Sequence, residues 1–217
     1  MNMGMPMPSW YDITGLDERS NEHCKGIETS VGTVKSILSQ EHKATGLPYN
    51  RMVLAGFSQG GALSLFTGMQ LPSDCQLAGI AVMSGYLPAA KKFTITEELK
   101  NTPILHCHGE ADPMVQYSMA VKTKEHVIEK GGTNYTLKGY PGVVHTVSME
   151  EVTDVTDFIK QILPPDESCR IKVKDPSEMS VKELKYAIKK AGLGSKAVGL
   201  MEKSEFVKLL KDYQEKK

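Results

Sequence analysis

Cysteine is scarce and scattered. Four residues, Cys24, Cys75, Cys107 and Cys169, are spread over 217 positions. They show neither the density of a disulfide framework nor the paired spacing of a zinc site. Unpaired, reduced thiols in a cytoplasmic setting are the expectation. Net charge is also lacking: 26 Lys+Arg balance 26 Asp+Glu. That excludes a whole-chain electrostatic pull toward nucleic acid or membrane. No apolar run approaches the roughly 20 residues that a bilayer-spanning helix needs. The start "MNMGMPMPSWYDI" lacks the basic region and apolar core of a signal peptide. No internal repeat is visible.

What is present is globular. Apolar residues make up 40% and charged residues 24% of the chain. The length suits one main domain and a small appendage. The charge is unevenly split. Residues 166–217 hold 13 Lys+Arg against 9 Asp+Glu, and the remainder holds 13 against 17. A basic tail therefore follows an acidic body.

Periodicity organises the body. Residues 20–44 predict a helix, with Ile27, Val31, Val34, Ile37 and Leu38 on one stripe. "RMVLAGF" (51–57) reads as a strand covered on both faces. A small-residue helix follows it. "LAGIAVMSGYLP" (77–88) and "TPILHCHG" (102–109) read as two more buried strands. Residues 114–130 predict a helix stopped by Gly131. "NYTLKGY" (134–140) alternates as a strand does. Ser148 and Glu151 form a capping box before a helix bearing Val152, Val155, Phe158, Ile159 and Ile162. Strands alternating with helices predict an α/β fold, a mostly parallel sheet with helices on both faces. The body spans 1–165, a polar, proline-bearing linker 166–178, and a helical extension 179–217.

"LAGFSQGGAL" (54–63) carries the chemistry. Gly56, Ser58 and Gly60 match G-x-S-x-G, in which a sharp strand-to-helix turn lifts a serine hydroxyl clear of the backbone. Side chains on either side of the serine would collide with strand and helix, so both glycines are expected to be required. The pattern alone also fits a plain glycine-rich junction. A serine needs a base, and in this fold the partners follow in the order serine, acid, histidine, each after a later strand. Asp112 in "HGEADPMV" and His145 in "YPGVVHTVSMEE" satisfy that order. Asp112 has a second reading as a helix cap, His145 as a loop histidine, and Glu110 is the alternative acid. His106 and His108 alternate on one strand and leave a zinc site short of ligands. Packing is their expected role, with His108 shaping the turn. His23, His42 and His126 read as solvated helix residues.

With these motifs in place, residues 9–164 resemble the acyl-protein thioesterase and carboxylesterase/lysophospholipase family of α/β-hydrolases. "MPSWYDI", "GFSQGGALSL", "LAGIAVMSGYLP", "HGEADPMV", "YPGVVH" and "FIKQILPP" carry the likeness. The resemblance implies Ser58, Asp112 and His145 as a catalytic triad, with no metal and no organic cofactor. It implies hydrolysis of long-chain acyl thioesters on protein cysteines, with oxygen esters and lysophospholipids as further substrates. Transient contact with a membrane surface goes with such substrates. Leu87 and Met114 match positions near the family's acyl-binding groove; both also read as core. The backbone N–H of Gln59 is the expected oxyanion donor. The second donor, from a His-Gly loop after an early strand, has no counterpart in residues 1–19. The sequence is therefore expected to begin inside the family pattern, leaving the "RMVLAGF" strand as an unpaired edge. A truncated reading frame starting at an internal methionine, a fragment, or a non-catalytic relative would each give that start.

Residues 179–213 predict two amphipathic helices around "GLGSKAVGL". Val181, Leu184 and Ile188 form one stripe; Phe206, Leu209, Leu210 and Tyr213 form the other. The pattern resembles SAP-like modules, which implies nucleic-acid or protein binding through Lys182, Lys185, Lys189, Lys190 and Lys196. A solvated lysine face is the plainer reading. The alternative function is accordingly an interaction protein acting through this extension.

Overall fold

The computed structural model describes residues 8–15, 22–169 and 174–214. Met1, Met3, Met5 and Met7, the start of the expected first helix at 20–21, and linker residues 170–173 lie outside them. The described chain forms two compact units, residues 1–166 and 167–217. Each is described by itself. No helix among the described residues is long and apolar enough to cross a membrane. None of the four cysteines forms a disulfide.

The first unit is built on four parallel strands: β1 (Val53–Phe57), β2 (Gly79–Met83), β3 (Ile104–Gly109) and β4 (Tyr135–Tyr140). Their spatial order is β1-β2-β3-β4, with Phe57 opposite Met83 and Gly109 opposite Tyr140. Parallel neighbours need crossovers, and helices supply them. The helices are α1 (Ile27–Thr45), α2 (Gln59–Gly68), α3 (Tyr117–Glu129) and α4 (Met149–Ile162). The two-residue period of β2 shows the layering. A side chain at Gly79 would strike Ile162 and Phe158 of α4, whereas Ile80 and Val82 meet the glycine face of α2. Helices thus cover both sheet faces, and β2 and β3 are buried throughout except at Met83.

β1 departs from expectation. It lies at the sheet edge, and Ala55 and Phe57 are exposed. No strand pairs with its outer side among the described residues. The apolar run therefore looks buried on both faces in sequence but is covered on one in space.

The first helix begins at Ile27, the first residue of its stripe, rather than at the expected residue 20. Gly26, at φ 93°, turns the chain into α1, and Gly46, at φ 72°, ends it by donating to the His42 carbonyl. Left-handed backbone favours glycine at both places. His23 consequently precedes the helix rather than sitting in it. His42 and His126 are half-buried, His42 bonding the Leu47 carbonyl at 2.6 Å. Ile27 and Leu38 are buried, but Ile37 stays 55% exposed. Ser148 and Glu151 form the expected capping box at α4. Val152 is exposed, because only the Val155, Phe158 and Ile162 side of that helix lies toward the sheet.

β3 carries two buried imidazoles on one face. His106 Nδ1 stands 2.7 Å from the Tyr135 hydroxyl, and His108 Nδ1 stands 3.3 Å from His106 Nε2. Burial presses both toward the neutral form. His106 is lowered to about 3, chiefly by desolvation and then by the His108 charge. Burial also lowers His108.

The second unit has its own core of Met179, Leu184, Ile188, Leu193, Phe206 and Leu210. Its helices are α5 (Val181–Lys190), capped by Ser180 and Glu183, and α6 (Lys203–Gln214). Val181 falls outside this core and is exposed. Part of the expected linker is structured: Pro176 is buried, and Asp175 pairs with Lys211 at 3.1 Å. Lys185 lies over the Phe206 ring and Lys190 over the Tyr186 ring.

Two outcomes follow from this packing. Leu65→Ala, at a fully buried α2 position, should cost about 2–5 kcal/mol in chemical denaturation. Ile37→Ala should stay within about 0.5 kcal/mol of the parent. The second outcome concerns pH. Below the ordinary histidine range the unfolded chain binds protons that folded His106 and His108 refuse. Their contribution is complete above about pH 6.5 and is lost on acidification. For His106 the loss continues toward about pH 3, with a slope of up to about 1.4 kcal/mol per pH unit. Urea midpoints from pH 7.5 to 4.5 should therefore fall less steeply for His106→Gln than for the parent chain.

Candidate active site

Ser58 ends β1 and caps α2, with φ 51° and ψ −121°. A non-glycine residue in that region is strained. The surroundings hold it there. Its N–H donates to the Met83 carbonyl at 2.8 Å, and its own carbonyl accepts from Ala62 N–H at 3.0 Å. Gly56 permits the turn, since a Cβ there would stand 2.3 Å from the backbone carbon of Gly60. The second required glycine is Gly61 rather than the expected Gly60. A Cβ at Gly61 would press 2.7 Å against the Gly56 carbonyl, whereas one at Gly60 meets only the Trp10 indole nitrogen at 3.9 Å. The reason is direction: Gly61 faces back across the strand–helix junction.

Two loops reach this serine from β3 and β4. His145 Nε2 lies 3.0 Å from Ser58 Oγ, and His145 Nδ1 lies 2.6 Å from Asp112 Oδ2. With Nδ1–H donating to the carboxylate, Nε2 is left to accept the serine hydroxyl. The imidazole is packed at 4.8 Å against the Phe57 ring, and 13% of its side chain remains exposed. A line of this kind can draw a proton from the serine as the serine attacks, and then return it to a leaving group.

Asp112 serves its turn as well. Its Oδ1 accepts from the N–H groups of Met114 and Val115 at 2.8 and 2.9 Å. The helix-cap reading does not hold, because α3 starts at Tyr117 with Gln116 at its N-cap; Oδ1 closes the turn ahead of that helix, and Oδ2 meets His145. Glu110 is exposed and lies beside Gly139 and Tyr117, away from the line. His108 shapes the same turn, with Nε2 at 2.7 Å from the Val115 carbonyl.

The side chain of Gln59, next to the nucleophile position, is clamped by the segment before α1. Trp10 N–H donates to its Oε1 at 3.0 Å, and its Nε2 donates to the Tyr11 carbonyl at 2.7 Å. Tyr11 is in turn bonded to the buried Tyr86 hydroxyl. The bond from Trp10 to Gln59 leaves that N–H committed. Beside Ser58 lies a cleft of about 510 Å³ lined by Pro8, Ser9, Trp10, Phe57, Gln59 and Gly60. Leu87 and Met114 do not line it. Leu87 is buried, its N–H donating to Thr123 Oγ1, and Met114 is 56% exposed. The apolar cleft residues Trp10 and Phe57 were not singled out by spacing. Their signal is weak, because each is one aromatic in a short segment.

Residues 1–163 match the family model described as Phospholipase/Carboxylesterase. Acyl-protein thioesterase 1 of Neurospora crassa is 39% identical over 82% of this chain and 71% of its own length. Acyl-protein thioesterase 1 homolog 1 of Dictyostelium discoideum is 36% identical over 76% and 72%. The crystal structure of Arabidopsis thaliana SOBER1 superposes with a TM-score of 0.62 at 33% identity, covering 75% of this chain and 77% of that one. On that match and those relatives, the chain belongs to the phospholipase/carboxylesterase family, serine hydrolases of the α/β-hydrolase fold.

Proposed function

We propose that the chain hydrolyses acyl thioesters on protein cysteines, and related lipid esters, through a covalent acyl-serine. The observation that carries this reading is the unbroken line Ser58 Oγ–His145 Nε2, His145 Nδ1–Asp112 Oδ2. Ser58 Oγ attacks the acyl carbonyl while His145 Nε2 takes its proton. The tetrahedral oxyanion faces the Gln59 N–H, which accelerates the step as the negative charge develops. Collapse breaks the bond to sulfur, and the thiol leaves with the proton from His145. Water then attacks the acyl-serine, giving its proton to the same nitrogen. The acid is released, and the proton returns to Ser58. Asp112 orients the imidazole and offsets its positive charge in both halves.

The substrate class rests on two supports. The relatives carry the name acyl-protein thioesterase. The cleft beside Ser58 offers Trp10 and Phe57 to an apolar chain. Both side chains are partly exposed, which suits an acyl group delivered from a protein or lipid surface.

A fluorophosphonate probe should label the native chain, and Ser58→Ala should abolish the label in a gel readout. Persistence of the label in that variant sinks the reading. Asp112→Asn should leave the fold intact by circular dichroism and lower kcat on a palmitoyl-thioester peptide by roughly 10⁴.

A further inference from the structure

Behind Asp112 runs a second hydrogen-bonded chain that the acyl-transfer steps do not use. It starts at the Tyr135 hydroxyl on β4 and passes through His106 and His108 on β3. It ends at the Val115 carbonyl, with successive distances of 2.7, 3.3 and 2.7 Å. All three side chains are buried.

The proton positions follow from the last contact. A carbonyl oxygen only accepts, so the nitrogen 2.7 Å from it carries the hydrogen. His108 is therefore protonated on Nε2, and its Nδ1 accepts. His106 must then donate from Nε2 and accept on Nδ1, where the Tyr135 hydroxyl supplies the hydrogen. The reverse polarity would set two lone pairs against each other at Val115. Burial, which disfavours a charge on either ring, is consistent with this single arrangement.

We propose that His108 is a positioning residue for the acid of the triad. Its Nε2–H fixes the Val115 carbonyl, and the N–H groups of Val115 and Met114 grip Asp112 Oδ1. The turn is thereby held from both sides, and Asp112 Oδ2 is aimed at His145. The same nitrogen of His108 lies 3.6 Å from Asp112 Oδ2, too far to bond. A neutral ring at that distance leaves the oxygen to His145; a cationic ring would compete for it. The inference rests on the triad reading above. The titratable groups around His108 are Asp112 after β3, His106 on the same strand, His145 after β4 and Glu151 on α4. The Tyr117 ring of α3 packs against it at 5.9 Å. Those facing His145 are Asp112 and His108, with Ser58 and the Phe57 ring completing its surroundings.

Two readouts test this on the full chain. Imidazole ¹⁵N spectra at pH 8 should show His106 and His108 as Nε2–H tautomers. An Nδ1–H tautomer at His108 overturns the proposal. In kinetics, His108→Leu removes the donor, while the amide nitrogen of His108→Gln reaches the same place. His108→Leu should lower kcat between about tenfold and a hundredfold, with KM within about twofold. His108→Gln should recover most of the lost kcat. Parent kinetics in His108→Leu, or an equal loss in His108→Gln, overturns the proposal. If His108→Leu fails to fold, the spectrum of the native chain decides alone. Failure of Ser58 labelling would instead remove the hydrolase reading, which the tautomer spectrum does not measure.

Discussion

The close approach between the end of β1 and the first turn of α2 is the constraint on which the site depends. Gly56 and Gly61 lie too near each other's backbone for any side chain between them. Only that approach lets the chain reverse within Ser58, at a backbone angle that a free serine avoids. The strain is held by bonds to β2 and to the next helical turn. The hydroxyl is consequently presented at the carboxyl end of the sheet rather than turned into the helix.

The parallel sheet supplies the rest. Strands that all run one way deliver the loops after β1, β3 and β4 to the same edge. Ser58, Asp112 and His145 each lie just beyond the end of one of those strands. Sequence separations of 33 and 87 residues shrink to single hydrogen bonds. Two of them also have a local duty: the Ser58 backbone occupies the N-cap of α2, with no side-chain bond to that helix, and Asp112 closes its own turn. In Asp112 the two roles are divided between the oxygens of one carboxylate.

Some of the buried polarity is gathered in one network behind Asp112. Tyr135, His106 and His108 satisfy one another inside the core, which avoids the cost of a lone buried donor or acceptor. Glu151 is buried too, one oxygen committed to the Ser148 N–H. The core beneath the acid loop is thus a directed network as well as an apolar filling. Its direction is imposed by a carbonyl that has no hydrogen to offer.

Local pattern encodes what neighbouring residues do to each other. It was sufficient for the four strands, the capping box at Ser148, and the choice of Ser58, Asp112 and His145, which the structure brings into one hydrogen-bonded line. The G-x-S-x-G spacing and the order of acid and histidine are chain properties, so they can be read before folding. Which partner a surface meets is not a chain property. The exposed edge of β1, the exposure of Ile37, the choice of Gly61 over Gly60 and the burial of Pro176 depend on neighbours distant in sequence or on direction in space. The network of His106 and His108 is of the same kind. Alternation placed both on one face of a strand, and only the arrival of Tyr135 and the Val115 carbonyl decided where their protons sit. Sequence determined the elements and the chemical groups; tertiary structure decided distance, burial and polarity, because those are set by what packs opposite.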